Sequence, residues 1–435
     1  MIRFSRRKFI TAGGAALALP TIIPFDLMGR GRRPAPSERI TLGLIGCGNM
    51  GKGNAESFLS LPDCQVVAAC DVDSEHLQEQ VKRVNDHYST KDCKGYHDYR
   101  QLLARPDIDA VMIAVPDHWH ALVAVEAANR KKDIYGEKPL ARTIAEQQAI
   151  VHAVERRHRI WQTGSWQRSS STFRKAAEIV RNGLIGKLTR VEVGLPGGPN
   201  ELDMRKTLPG ETPPATLDYD TWIGPSQMIP YIARRVHQNW RWNYDTGGGQ
   251  LLDWIGHHCD IAHWGMDADN SGPTDVEGHG DFPPSDACWN TCYKYRIELT
   301  YPHNIHMTIA GGHTDIAGGT KFIGTDGWVY VDRGKFEASN SDWRDEKELP
   351  DKLLKVKLYK SDNHQGNFLQ CVKSRKPTIT PARTAHHSAI PGHLGLISML
   401  VGRKIKWDSR AEKIIGDPEA AKLLGRDYRP PWSLA

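Results

Sequence analysis

The run Gly247-Gly-Gly-Gln-Leu-Leu-Asp-Trp-Ile-Gly-His-His-Cys-Asp260 sets Asp253, His257 and His258 in otherwise apolar sequence. Buried charge and buried imidazole are costly unless paired, so three uses suit these residue types: a metal site, a tightly bonded structural node, or proton-transfer machinery. If the run is helical, the i,i+4 spacing places Asp253 and His257 on one face, close enough to act together. His258 then points elsewhere and reads as structural.

A second constellation is Gly46-Cys-Gly48-Asn49-Met50-Gly51, a G-x-G-x-x-G between an apolar run and a helical one. Gly46 permits the tight turn, Gly48 admits a pyrophosphate, and Gly51 lets the helix pack close with its N-terminus toward the phosphates. Asp71 stands twenty residues past Gly51, where a carboxylate can accept from both ribose hydroxyls. Asp71 and Asp73 would meet a 2′-phosphate with negative charge and no Arg follows at once, so NAD is expected and NADP kept as the alternative. Two further loops close strands where a nicotinamide should fall: Val115-Pro116-Asp117-His118-Trp119-His120 and Gly136-Glu137-Lys138-Pro139. Lys138 is a cation on a rigid turn, although Glu-Lys-Pro alone is also an ordinary surface turn.

These residues need elements to hold them. Strands are predicted at 39–45, 65–70, 110–114, 133–135 and 160–163, alternating with helices at 51–61, 74–87, 121–130 and 144–157. That alternation means a doubly wound parallel sheet with ligands at the strand C-termini. Beyond residue 164 a helix at 171–182 and a strand at 188–194 lead into an irregular stretch at 196–230, a surface excursion beside the site. Runs at 294–300, 304–310, 320–324 and 328–331 follow with turns and no long helices, which indicates an antiparallel sheet. The predicted class is α/β: an N-terminal Rossmann doubly wound parallel sheet, then an α+β domain with a large, mainly antiparallel sheet. The expected division is a leader and linker at 1–37, a cofactor domain at 38–165, and a substrate and oligomerisation domain with a C-terminal arm at 166–435.

A chain of 435 residues is long for one core. Residues 1–39 hold 8 basic and 2 acidic residues, the whole of the +6 formal charge, so the remainder balances at 49 against 49. A neutral body argues against nucleic-acid binding. Ser5-Arg6-Arg7-Lys8-Phe9-Ile10-Thr11 before an Ala/Gly-rich apolar stretch resembles a twin-arginine export signal. Export by that route, to the periplasm or to a membrane tether facing it, is therefore expected, with membrane contact only through the leader. The eight cysteines form no C-x-x-C pair and read as mostly free thiols.

Taken together, the Gly-rich turn, the V-P-x-x-x-H loop ending at His120, Glu137-Lys138-Pro139 and G-G-G-x-L-x-D-x-x-x-H at 247–257 resemble the glucose-fructose oxidoreductase and inositol dehydrogenase family, Gfo/Idh/MocA. The resemblance implies that Lys138, Asp253 and His257 form the catalytic group. His257 would take the hydroxyl proton, Lys138 would stabilise developing alkoxide, and Asp253 would orient substrate or imidazole. No metal is expected there, since hydride transfer needs no Lewis acid and Lys138 would repel a dication. Cofactor contacts are expected at Gly46, Gly48, Asn49, Met50, Gly51, Asp71, Pro116, His120, Glu137, Lys138 and Gln167. Substrate contacts are expected at Lys138, Arg168, His237, Trp240, Asp253 and His257, the indoles of Trp240 and Trp242 suiting a sugar face. The expected activity is hydride exchange between a tightly bound NAD and a secondary hydroxyl of a sugar, glycoside or cyclitol, with 3-keto sugars among the products. Two alternatives remain: a redox glycoside hydrolase and a catalytically silent sugar-binding protein. A homo-oligomer is expected, with the arm at 427–434 packing on a neighbouring surface.

Overall fold

The computed structural model describes residues 34–344 and 348–434, so the segment expected to be a twin-arginine leader lies outside the described residues. Six strands form the first sheet: β1 (Ile40–Ile45), β2 (Cys64–Cys70), β3 (Lys94–Tyr96), β4 (Ala110–Ile113), β5 (Asp133–Gly136) and β6 (Trp161–Thr163). Helices α1 (Asn49–Leu59), α2 (Ser74–Tyr88), α3 (Tyr99–Leu103), α4 (Asp117–Asn129) and α5 (Ile144–Arg156) connect them. The strands are short apolar runs because helices cover both faces, and a doubly buried strand need not alternate. All pairings are parallel, in the order β3-β2-β1-β4-β5-β6. The chain winds outward from β1 in both directions, so the ends of β1, β2, β4 and β5 open into one crevice.

The second sheet follows α6 (Ser171–Arg181): β7 (Leu188–Leu195), β8 (Asp275–Asp281), β9 (Lys294–Tyr301), β10 (Ile305–Gly311), β11 (Gly319–Gly324), β12 (Trp328–Asp332), β13 (Lys335–Ala338), β14 (Ile405–Asp408) and β15 (Lys413–Ile415). Its order is β13-β12-β11-β7-β10-β9-β8-β14-β15, and the β7–β10 pairing is parallel while the others are antiparallel. The remaining helices are α7 (Tyr219–Ile223), α8 (Gly249–Met266), α9 (His364–Ser374), α10 (Ala382–Val401) and α11 (Pro418–Lys422). No element is predicted from the sequence for the segment that forms α10. Its mix of His, Gly and Pro391 hides the helical period because nearly all of it is buried, so no polar face marks it.

The Gly247-Gly-Gly run begins α8. Gly249 has φ +67°, and a Cβ there would lie 2.8 Å from Thr291 Oγ1, so only glycine both turns the chain and fits. Leu251, Leu252 and Ile255 are fully buried against the second sheet, each contributing roughly 1.5–3 kcal/mol. Asp253 and His257 face away from that core, toward the first sheet. Ser165 Oγ donates to Gly256 O at 2.8 Å and clamps α8 to the end of β6.

Two further expectations are corrected, and the surface under the C-terminal arm is identified. Asp117-His-Trp-His120 is the first turn of α4, not a loop, with Pro116 as its N-cap. The stretch at 196–230 includes α7, and Leu217 bridges Asp73. The C-terminal arm packs on its own chain: Trp432 meets Trp119 edge-on at 4.7 Å and Arg429 pairs with Asp220 at 2.7 Å. All eight cysteines are buried and none is in a disulfide, and among the described residues no helix is long and apolar enough to cross a membrane.

Candidate active site

The crevice at the ends of β1, β2, β4 and β5 is a groove of about 910 Å³, near the upper limit of roughly 1,000 Å³ usual for ligand sites. One end is built on the turn after β1. Gly46 has φ +92°, and a Cβ on it would lie 2.5 Å from Ala114 O. A Cβ on Gly51 would fall 2.0 Å from Gly46 O, whereas Gly48 faces open space. The start of α1 has no side-chain cap, so its first N–H groups remain for a phosphate. Asn49 and Met50 line the groove beside them. Asp71 accepts from Cys47 N at 2.7 Å through Oδ2 and from Asp73 N at 2.9 Å through Oδ1. Each oxygen keeps a lone pair for a ribose hydroxyl, and burial pushes the carboxyl above its ordinary range. These residues fit a nicotinamide dinucleotide: a phosphate cradle open only at Gly48 and a carboxylate one strand away.

Beyond Asp71 the wall is aromatic. Tyr99 meets Trp119 at 5.8 Å, Trp119 meets Trp432, and the Arg100 guanidinium lies 5.5 Å from the Trp432 ring. All four side chains line the groove. The sequence offered no sign that the C-terminal arm contributes to it, because Trp119 and Trp432 are joined only by tertiary folding.

The opposite end holds the ionic centre. Lys138 Nζ donates to Asp253 O at 2.8 Å and to Asp253 Oδ1 at 2.9 Å. Arg241 Nε donates to the same Oδ1 at 2.9 Å. Burial alone would raise the Asp253 carboxyl, but Lys138 and Arg241 overcome it and hold it well below the ordinary carboxylate range. Lys138 packs over Gly256, where a Cβ would come within 3.0 Å of Lys138 Cβ. Glu137 is buried behind it, accepting from Asn54 Nδ2 at 2.8 Å. Lys138 and Arg241 line the groove. His257 lies one turn beyond Asp253, its ring 5.3 Å from Trp254 and its Nδ1 without a hydrogen-bond partner among the described residues. Burial first, then Lys138 and Arg333, keep its imidazole neutral by lowering it well below the ordinary histidine range. On that side Arg333 lies 4.6 Å from the Trp254 ring and 4.8 Å from Trp166.

Lys138, Asp253 and His257 therefore come together, but Asp253 holds cations rather than the imidazole. Arg241 is the member that sequence reasoning left without a role. Asp117 is another. It is buried at the groove, its Oδ1 has no partner among the described residues, and burial with the nearby Asp253 charge pushes it up to about 8.

Two expected contacts, those of Gln167 and Arg168, are corrected. Gln167 is buried against His258, 3.3 Å from its Nδ1, and does not line the groove. Arg168 is fully buried between Asp260 and Asp269, 2.7 Å from each, and serves as a structural ion bridge. His237 lines the groove near Asp71, 3.5 Å from Asp73 and 4.8 Å from the His76 ring. Trp240 lines the cofactor groove beneath Arg241, whose guanidinium is 4.5 Å from its ring. His120 ties two loops, its ring nitrogens 2.8 Å from Pro139 O and 2.9 Å from Val115 O. His258 is 3.4 Å from Asp332 and is lowered to about 4 by burial.

The chain is 30% identical over 146 residues to a myo-inositol 2-dehydrogenase of Thermotoga maritima, covering 34% of this chain and 42% of that protein. It is 33% identical over 162 residues to glycosyl hydrolase family 109 protein 2 of Shewanella sp. strain ANA-3, covering 36% and 35%. The matched segments thus span less than half of these curated relatives. In fold it is similar to an aldose-aldose oxidoreductase from Caulobacter crescentus, with a TM-score of 0.61 at 16% identity over 85% of this chain and 99% of that one. Residues 40–165 match the Gfo/Idh/MocA oxidoreductase family, NAD-binding Rossmann fold, and residues 169–434 match its C-terminal alpha/beta domain. With both halves matched and the glycine cradle, Asp71 and Lys138 in place, the chain belongs to the Gfo/Idh/MocA oxidoreductase family.

Proposed function

We propose that this protein is an exported, NAD-dependent oxidoreductase that moves hydride between a secondary hydroxyl of a sugar, glycoside or cyclitol and a tightly held nicotinamide. The carrying observation is the Lys138–Asp253–Arg241 ion group at the groove, with the unpartnered His257 Nδ1 one helical turn away. When bound, the nicotinamide supplies the two-electron acceptor and, on return, the hydride. The chain supplies the rest. Neutral His257 accepts the hydroxyl proton on its imidazole as the carbon-bound hydrogen leaves, and Lys138 donates a hydrogen bond to the oxygen where negative charge develops. Asp253 holds that ammonium in place. Arg333 between Trp254 and Trp166 offers ring faces and donors of the kind that suit a carbohydrate.

A second reading, a redox glycoside hydrolase, is favoured by the similarity to glycosyl hydrolase family 109 proteins. Purified protein incubated with a glycoside panel separates them. Net reduced nicotinamide with intact glycoside marks the dehydrogenase, released aglycone without net reduction marks the hydrolase, and neither on any carbohydrate rejects both. Denaturing the protein and assaying for nucleotide tests tight retention, which an exported dehydrogenase would need. Periplasmic delivery and a homo-oligomer belong to the same proposal and are checked by fractionation and light scattering.

A further inference from the structure

Away from the groove, α10 and the loop between β14 and β15 bring His386, His387 and Glu412 together, their ligand atoms all within 4.8 Å. His386 Nε2 lies 3.0 Å from Glu412 Oε2 and His387 Nε2 lies 3.2 Å from Oε1. The histidine side chains are 1% and 6% exposed and the glutamate 18%.

The far nitrogens decide what this cluster is. His387 Nδ1 is 2.7 Å from Asp269 O, a carbonyl that can only accept, so Nδ1 bears the hydrogen. His386 Nδ1 faces Gln147 Oε1 at 2.8 Å, with the Gln147 amide nitrogen turned to His393 and Ala141 O. In the neutral form each ring would direct its Nε2 lone pair at a carboxylate that is itself only an acceptor. Gln148 Nε2 fixes that carboxylate from behind, donating to Oε2 at 2.8 Å. Such a convergence of two imidazole nitrogens and a carboxylate holds a cation among them, a proton or a metal ion. Glu412 is also held at φ +50°, a left-handed backbone that a glutamate adopts only when its surroundings impose it.

We propose that His386, His387 and Glu412 bind a zinc-class divalent cation. Two imidazoles and a carboxylate are a common zinc donor set, and ligands at about 2.0–2.1 Å from a tetrahedral ion stand roughly 3.3 Å apart, close to the spacings seen. Gln147, the Asp269 carbonyl and Gln148 are the outer hydrogen-bonding shell that sets tautomer and orientation in such sites. The ion is structural, pinning α10 to the β14–β15 loop, with water as fourth ligand.

Protein stripped with chelator and titrated with zinc chloride tests this by calorimetry and thermal unfolding. About one zinc per chain is expected, raising the unfolding midpoint by several degrees, with affinity falling at least tenfold in Glu412→Gln and in His387→Ala. His237→Ala, which removes the other acidic and histidine group near the groove, retains the ion. Cobalt(II) in the unsubstituted protein reads the site even if variants fail to fold, and a tetrahedral absorption band is expected. Zinc that leaves the midpoint unmoved, binding unchanged in Glu412→Gln, or only the spectrum of hydrated cobalt overturns the assignment.

Discussion

Replacing Asp253 by Asn keeps the side-chain shape and removes the charge that two buried cations share. Lys138 and Arg241 each donate to Asp253 Oδ1 at 2.9 Å, and their side chains are only 8% and 18% exposed. Removing one partner of a buried pair usually costs about 3–5 kcal/mol. Here Lys138 retains the Asp253 carbonyl at 2.8 Å and Arg241 retains Gln238 O at 3.1 Å, so the lower end, about 3 kcal/mol, is expected in urea unfolding near neutral pH. The folded Asp253 carboxyl lies below its ordinary range, so its stabilisation is present above the ordinary carboxylate value and is lost as pH falls through the folded one. The gap between wild type and Asp253→Asn should therefore hold at neutral pH and close only in strong acid. Turnover should fall by at least ~10²-fold, because the ammonium facing the developing alkoxide is no longer held, while NAD affinity changes little. A double-mutant cycle with Lys138→Met should return a coupling of about 0.5–3 kcal/mol. A variant as stable as wild type and within about threefold of its kcat would refute the positioning role.

Three other substitutions probe the rest of the groove. Asp71→Ala should weaken NAD by about 10²-fold, as expected for losing charge-assisted hydrogen bonds of ~1.5–3 kcal/mol, with the chemical step little changed in single-turnover measurements. Trp432→Ala removes the edge contact with Trp119, a pair worth roughly 0.5–1.5 kcal/mol; nucleotide titration should show a few-fold weaker cofactor with kcat retained, and unchanged affinity would detach the C-terminal arm from the site. Asp117 is pushed up to about 8, so its favourable contribution is present below the ordinary carboxylate value and fades as pH rises toward 8. Asp117→Asn should therefore gain on wild type between pH ~5 and ~8 in thermal unfolding, and parallel profiles would show that the carboxyl is ionised throughout.

The cofactor half was legible because each of its signals is local. Gly46, Gly48 and Gly51 are demanded by a turn, an open cradle and a close helix start within six residues, and the parallel strands announce themselves as apolar runs. Asp253 and His257 were legible as a pair because their spacing along one helix is local, whereas Lys138, on a turn unremarkable by itself, joined them only through the resemblance to the family. What tertiary structure decided is everything set by burial and by contacts across long stretches of chain. Arg168, His237 and Gln167 are polar residues whose sequence surroundings look alike, yet one bridges two buried aspartates, one flanks the ribose carboxylate and one packs on His258. Arg241 joined the ionic centre only when the segment before α8 folded over Lys138, and Trp432 reached Trp119 only because the C-terminal arm turned back on its own chain. The helix α10 stayed hidden because a segment buried on every side has no polar face to reveal its period, and its paired histidines acquired a chemical direction only from Glu412, Gln147 and the Asp269 carbonyl around them.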